Sequence, residues 1–127
     1  MSTPILTALS ERDSASLREQ LATDVTFNSP VRSYHGRDDV AHLLELIGGL
    51  LADLRVTRLV DAPGETAAFV TAVSAGERPL DGVLDERRDD SGRTVELTLM
   101  LRPLGALLQA IERMGKALEL APLPSSG

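Results

Sequence analysis

The chain has 127 residues, of which 43% are hydrophobic and 25% charged, a composition typical of one globular domain. Its formal net charge is −6 and its basic residues form no cluster, which argues against nucleic-acid binding. It contains no cysteine, so disulfides and thiolate metal sites are excluded. Its N-terminus has no secretory pattern and its longest hydrophobic run is four residues, so we expect a cytoplasmic protein without a membrane span.

Two short helices and a strand are predicted first. Thr3 followed by Pro4 is a typical start of a helix, and a break is expected over residues 11–14. A brief strand around Phe27 ends at Pro30, because proline cannot extend a central ladder.

A longer helix is predicted next. It starts at Asp38 or Asp39, and hydrophobic residues keep helical spacing from there to Leu54. The pair Gly48-Gly49 lowers helix propensity, and we interpret it as a place where the helix lies close against a sheet.

From residue 54 the hydrophobic period changes to two, which predicts a meander of strands. Turns are expected at Pro63-Gly64 and from Gly76 to Pro79, and a hairpin loop at residues 89–92. The last strand, residues 93–102, has an apolar row that we expect to face inward: Val95, Leu97, Leu99 and Leu101. Its other face, which includes Met100, is mixed in polarity and suits either contact with another subunit or exposure to solvent.

A final amphipathic helix is predicted from Pro103 to Leu118, packed across a pocket mouth or sheet edge. We therefore expect one domain over residues 1–121 and a disordered tail over 122–127.

The order of these motifs resembles the nuclear-transport-factor-2-like superfamily. Four motifs are similar to its polyketide-cyclase-like (SnoaL-like), steroid-isomerase-like and epoxide-hydrolase-like branches. They are Ser29-Pro30 at a strand end, Tyr34-x-Gly-Arg-Asp at a helix start, a Gly-Arg hairpin, and a terminal strand followed by Arg-Pro-Leu. The resemblance implies an α+β fold. In it a cone-shaped, curved antiparallel sheet wraps around the long helix, with N-terminal helices and a closing C-terminal helix. It also implies a pocket for a small apolar molecule. Because of the mixed face of the last strand, we expect a homodimer through the sheet face.

The catalytic residues of those branches do not carry over. Ser29 stands where ketosteroid isomerases have a catalytic aspartate. An ungapped alignment places Leu84 where they have a carboxylic acid, and only a one-residue shift of the alignment would place Asp85 there. Asn28 matches the asparagine of limonene-type epoxide hydrolases. Their arginine and two aspartates fall on apolar or small residues here, such as Leu99.

Three polar residues are candidates for acid/base catalysis: Asp81, Asp85 and His35. A carboxyl inside an apolar cone would have a raised pKa, and an imidazole can transfer protons at neutral pH. The alternative for each is a solvated position, with Asp81 and Asp85 on an outward strand face. The spacing of acids and histidines predicts no metal site and we expect no cofactor.

Six residues are predicted to contact the ligand: Phe27, Asn28, Tyr34, Phe69, Leu97 and Leu99. The first hypothesis for function is a domain that binds a small apolar molecule inside the cone. The second is an isomerase or cyclase in which Asp81 or Asp85 acts with Tyr34 or His35. The third is a dimerisation module whose cone is packed shut. A carboxyl projecting into the cavity distinguishes the second hypothesis from the others.

Overall fold

Four α-helices and six strands make up the part of the chain that the structure, a computed structural model, describes: residues 2–74 and 77–126. The helices are α1 (Pro4–Glu11), α2 (Ser14–Gln20), α3 (Arg37–Leu50) and α4 (Leu104–Leu120). The strands are β1 (Leu21–Asn28), β2 (Ser33–His35), β3 (Leu51–Ala62), β4 (Glu65–Ser74), β5 (Arg78–Arg88) and β6 (Thr94–Arg102).

The strands form one curved, open sheet in the order β2-β1-β6-β5-β4-β3. Four of its strand pairs are antiparallel, but β1 pairs with β6 in parallel, so the sheet is mixed and not wholly antiparallel as predicted. The parallel pair joins strands separated by α3 and the whole meander, and no hairpin sets their relative direction. The predicted α+β architecture, a curved sheet around the long helix, is confirmed.

The predicted break between the first two helices is confirmed. The Thr3 hydroxyl accepts a hydrogen bond from the Leu6 amide (3.1 Å) at the start of α1. Arg12 ends α1 in the left-handed region at φ 56°, and Asp13 caps α2 by accepting from the Ser16 amide (3.1 Å).

Helix α3 is shorter than predicted. It follows Gly36, whose φ of 95° favours glycine, and ends at Leu50, so Leu51 and Leu54 belong to β3. Residues 50–54 contain neither glycine nor proline, and leucine spacing alone could not locate this boundary. Gly48 lies against α1 and not against the sheet, since a Cβ there would be 2.9 Å from the Leu9 carbonyl oxygen.

The core forms where the inward face of the sheet meets α3. Val40, Leu43 and Leu44 of α3 are buried against Phe27 of β1 and Leu97 of β6. Helices α1 and α2 add further buried aliphatic residues: Ile5, Leu6, Leu9 and Leu17.

An irregularity at the start of β6 alters its predicted faces. Arg87 pairs with Glu96 and Arg88 pairs with Thr94, so Val95 is an extra residue with no partner in this ladder. As a result Thr94 turns inward and is only 2% exposed, while Val95 is partly exposed. The prediction that Val95 belongs to the inward row is therefore wrong.

The short strand β2 was not predicted. Of the turn expected from Gly76 to Pro79, Gly76 lies outside the described residues, whereas Arg78 and Pro79 belong to β5. The structure also differs from the prediction of a disordered tail. Residues Pro124–Ser126 form a 3-10 turn, and Ser125 donates to Asp39 from its amide (3.0 Å) and its hydroxyl (2.6 Å).

We predict that Gly82→Ala destabilises the protein, because a Cβ at Gly82 would lie 1.9 Å from the Met100 carbonyl oxygen on the neighbouring strand. Relieving that overlap requires backbone movement, which costs about 1–3 kcal/mol. The matched control is Gly115→Ala on α4, where a Cβ would have no atom within 4 Å. Because alanine favours a helix over glycine, this variant should raise the free energy of unfolding by up to about 1 kcal/mol. Urea unfolding measures both. Equal stabilities for the two variants would contradict the proposed contact.

Candidate functional site

An apolar cavity lies between α3, α4, β6 and the turn after β1. Its volume is about 190 Å³. The sheet side and the turn contribute Phe27, Ser29, Pro30, Val31, Tyr34, Leu51, Leu99 and Leu101, and the helices contribute Leu43, Ile47, Leu50, Leu107, Ala110, Ile111, Met114, Gly115 and Leu118. The predicted role of the C-terminal helix as a cover of the pocket agrees with this arrangement.

Only two side chains in this lining carry oxygen or nitrogen atoms, Ser29 and Tyr34. The Ser29 hydroxyl is engaged in its own turn, where it donates to the Arg32 carbonyl (2.8 Å) and accepts from the Val31 and Arg32 amides (3.1 Å each). The Tyr34 ring stacks on Phe27 with centroids 6.5 Å apart, beneath the Arg32 guanidinium. The Tyr34 hydroxyl makes no hydrogen bond within residues 2–74 and 77–126. It is thus the free polar group of the cavity wall.

No carboxyl group lines the cavity among the residues that the structure describes. Asp81 lies on the outward face of β5, with its carboxylate 3.3 Å from Arg102. Asp85 lies on the same outward face, opposite Thr98. The inward face of β5 instead presents Leu80, Leu84 and Glu86.

The pKa of the Asp85 carboxyl is nevertheless raised. Burial raises the pKa of its carboxyl to about 6, and the nearby Glu65 and Glu96 carboxyls add to this shift while Arg87 opposes it. Arg87 itself pairs with Glu96 at 2.6 Å. The shift belongs to a charged cluster on the outward sheet face and not to the cavity.

His35 and Asn28 also lie outside the cavity. His35 is exposed on β2, with Nδ1 3.1 Å from the Thr26 hydroxyl. The Asn28 amide donates to Glu96 (3.0 Å) and to Thr98 (3.0 Å) on β6. Its role here is to bind β1 to β6, and its predicted place in the pocket is wrong.

The structure divides the remaining predicted ligand contacts into two groups. Phe27, Tyr34 and Leu99 line the cavity. Phe69 does not, because it lies on the outward face of β4 with the Arg58 guanidinium 4.0 Å from its ring centroid. Leu97 is buried in the core and is absent from the lining.

None of the six predicted ligand contacts lies on α4, although this helix was expected to pack across a pocket mouth or a sheet edge. Leu107, Ile111, Met114 and Leu118 recur at the three- and four-residue spacing of one helix face, so the signal was present in the sequence. The sequence left open whether this face covers a pocket mouth or a sheet edge, and in the structure it lines the cavity.

The described residues contain no group of three or more acids, histidines or cysteines placed to hold a metal ion. None of the described helices is both long and apolar enough to cross a bilayer.

Comparison with known proteins identifies the fold. No protein-family model and no curated protein matches the chain. An uncharacterized protein with a cystatin-like fold from Silicibacter pomeroyi superposes with a TM-score of 0.88 at 21% identity, covering 93% of this chain and 84% of that one. A steroid delta-isomerase from Pseudomonas aeruginosa gives 0.83 at 29% identity, covering 90% and 85%. The chain has the nuclear-transport-factor-2-like fold.

A nuclear-transport-factor-2-like protein of unknown function from Cytophaga hutchinsonii gives a TM-score of 0.70 at 12% identity, covering 82% of this chain and 88% of that one. These neighbours confirm the superfamily resemblance predicted from the sequence. The nuclear-transport-factor-2-like fold thus includes proteins of unknown function and an isomerase, so the fold alone does not select an activity for this chain.

We predict that the carboxyl of Asp85 makes stability depend on pH. Because its pKa rises from 3.8 to about 6 on folding, the folded state binds more protons in that interval. The contribution of Asp85 to the free energy of unfolding therefore falls as the pH rises from 3.8 to about 6. Asp85→Asn should reduce this fall. The measurement is urea unfolding across the interval, with carboxyl NMR titration of Asp85. Identical pH profiles for parent and variant would refute the assignment.

Proposed function

We propose that the protein binds a small, mostly apolar molecule in the cavity beneath α4. The observation that supports this proposal is the lining, whose side chains are apolar except for one engaged and one free hydroxyl. Such a wall favours a hydrophobic ligand, since each Å² of apolar surface removed from water contributes roughly 25 cal/mol. A single hydroxyl or carbonyl on the ligand would hydrogen-bond to Tyr34.

The size of the cavity limits the ligand. An aliphatic cavity of about 150 Å³ accepts benzene, so a volume of about 190 Å³ suits a compact molecule of one or two rings. A dimerisation module with a closed cone is less well supported, because the cavity is not filled by side chains.

An isomerase or cyclase is the second candidate, favoured by the likeness to the steroid delta-isomerase. Acid/base chemistry would need a proton-transferring group beside the bound molecule. Asp81, Asp85 and His35 are all directed away from the cavity. Because none of these three residues reaches the cavity, ligand binding fits the geometry better than acid/base catalysis by them.

The cytoplasmic location expected from the sequence stays a prediction.

We predict that 2-naphthol raises the melting temperature of the parent protein, because a ligand that binds only the folded state stabilises it by about 2.7 kcal/mol at 100 times its Kd. Ala110→Leu fills part of the cavity and should abolish the shift. The control, Glu112→Leu, places the same side chain on an exposed position of α4 and should keep it. Differential scanning fluorimetry measures all three proteins. Equal shifts in both variants would exclude this cavity as the binding site.

We also propose a homodimer formed through the outward face of the sheet. Phe69, Val83 and Met100 are directly opposite one another on β4, β5 and β6 and form an apolar row on this face. Met100 is 57% exposed and Val60 on β3 is 50% exposed. An exposed apolar row bordered by charged residues is typical of a protein interface. A second copy of the same chain would cover it symmetrically.

We predict that Met100→Arg converts a dimer to a monomer without unfolding the protomer, because it places a second cation near Arg102 on the proposed interface. The control is Leu120→Arg, which replaces a leucine that is 89% exposed at the end of α4. Light scattering after size-exclusion chromatography gives the mass of each variant. A dimer that survives Met100→Arg, or a parent protein that is monomeric, would refute the proposed interface.

A further inference from the structure

A second pocket, of about 260 Å³, opens at the other end of the inward sheet face. Five polar residues are buried in the described part of the chain, and four of them line this pocket: Thr3, Thr66, Glu86 and Thr94. It lies roughly 20 Å along β6 from the apolar cavity, given a rise of about 3.3 Å per strand residue. Buried polar side chains concentrated in one place on an otherwise apolar face require an explanation.

The sheet register brings these polar groups together. Asp61 is opposite Thr66, and Thr66 is opposite Glu86, on three adjacent strands. Arg88 donates from Nη2 to the Thr66 hydroxyl (2.8 Å), which donates in turn to Asp61 Oδ1 (2.8 Å). The positions of Asp61, Thr66 and Arg88 are thus fixed by a chain of hydrogen bonds.

Glu86 stands outside that chain. Its side chain is 1% exposed, and its Oε2 atom accepts no hydrogen bond within residues 2–74 and 77–126. Burial raises the pKa of this carboxyl, and the nearby Thr3 hydroxyl and Arg88 guanidinium oppose the shift. A buried acceptor without a donor costs about 1–3 kcal/mol. A molecule that brings an N–H donor to Glu86 would remove this cost.

The charges around the pocket select the class of ligand. Two carboxyls, Asp61 and Glu86, face one guanidinium, Arg88, which already donates to Thr66. This balance disfavours an anion, and the polar wall disfavours an apolar molecule. Two carboxyls without a third ligating group do not form a metal site, and no larger group occurs among the described residues.

We propose that this polar pocket binds a small organic ammonium ion, which donates its N–H groups to the Glu86 carboxylate. The hydroxyls of Thr66 and Thr94 line the same pocket and can accept or donate to a second polar group of the ligand. The site is separate from the apolar cavity and does not rest on the function proposed for that cavity.

The test uses ethanolammonium as the probe and the methyl signals of Thr66 and Thr94 as the readout. The full-length parent protein should show saturable chemical-shift changes at these two methyls and none at Leu99. Ethanediol, which lacks the cation, and tetramethylammonium, which lacks N–H donors, should each bind at least about tenfold more weakly, as loss of a charge-assisted hydrogen bond implies. Equal binding of either control compound, or no saturable change with ethanolammonium, would overturn the proposal.

Variants locate the interaction. Glu86→Gln keeps the shape of the side chain but removes its charge, and should weaken ethanolammonium binding about tenfold or more. Glu112→Gln removes one exposed negative charge from α4 and should leave binding unchanged. If Glu112→Gln weakens binding as much as Glu86→Gln, the probe responds to net charge and the proposal fails. If Glu86→Gln does not fold, the comparison of the three compounds on the parent protein decides the matter alone.

Discussion

The packing of α3 into the concave side of the sheet is the constraint on which the rest of the structure depends. Val40, Leu43 and Leu44 are buried there against Phe27 and Leu97 on the sheet. The middle of β4 contributes the small residues Ala68 and Val70 to the same buried cluster. Helix α3 therefore fills the centre of the concave face but not its two ends.

The two ends differ in chemistry because different residues reach them. At one end α4 covers leucines 99 and 101 and leaves an apolar cavity with a single free hydroxyl. At the other end the start of α1 covers Thr66, Glu86 and Thr94 and leaves a polar pocket. The raised pKa of Glu86 is a consequence of its place on the inward face, whereas Asp85, one residue earlier, belongs to the outward face. Alternation along one strand thus separates the two acidic groups into different environments.

Most of the elements could be predicted from sequence, because their signals are local. The cap at Thr3, the break before Asp13 and the turn at Pro63-Gly64 depend on neighbouring residues alone. The faces of the strands were harder. Both faces of β4 are apolar, so alternation could not assign Phe69 to the outward side.

Non-local pairing accounts for the other differences. The extra residue Val95 is defined only by its pairing with β5, and it reverses the face of Thr94. The parallel contact between β1 and β6 joins distant parts of the chain. The same contrast between local and non-local signals holds for the candidate site. Phe27, Tyr34 and Leu99 were predicted from the sequence and line the cavity, whereas the lining residues of α4 could be identified only from the packing of that helix. The sequence did contain a signal for Glu86. Alternation along β5 places this charged residue on the same inward face as Gly82 and Leu84.

The central claim is that the concave face holds one apolar cavity and one polar pocket. Xenon enters apolar cavities of this size and gives strong electron density in crystals kept under its pressure. The structure predicts a xenon peak between Phe27, Leu99 and Met114, and none beside Glu86. A crystal without a peak in the apolar cavity, or with a peak only beside Glu86, would contradict the account.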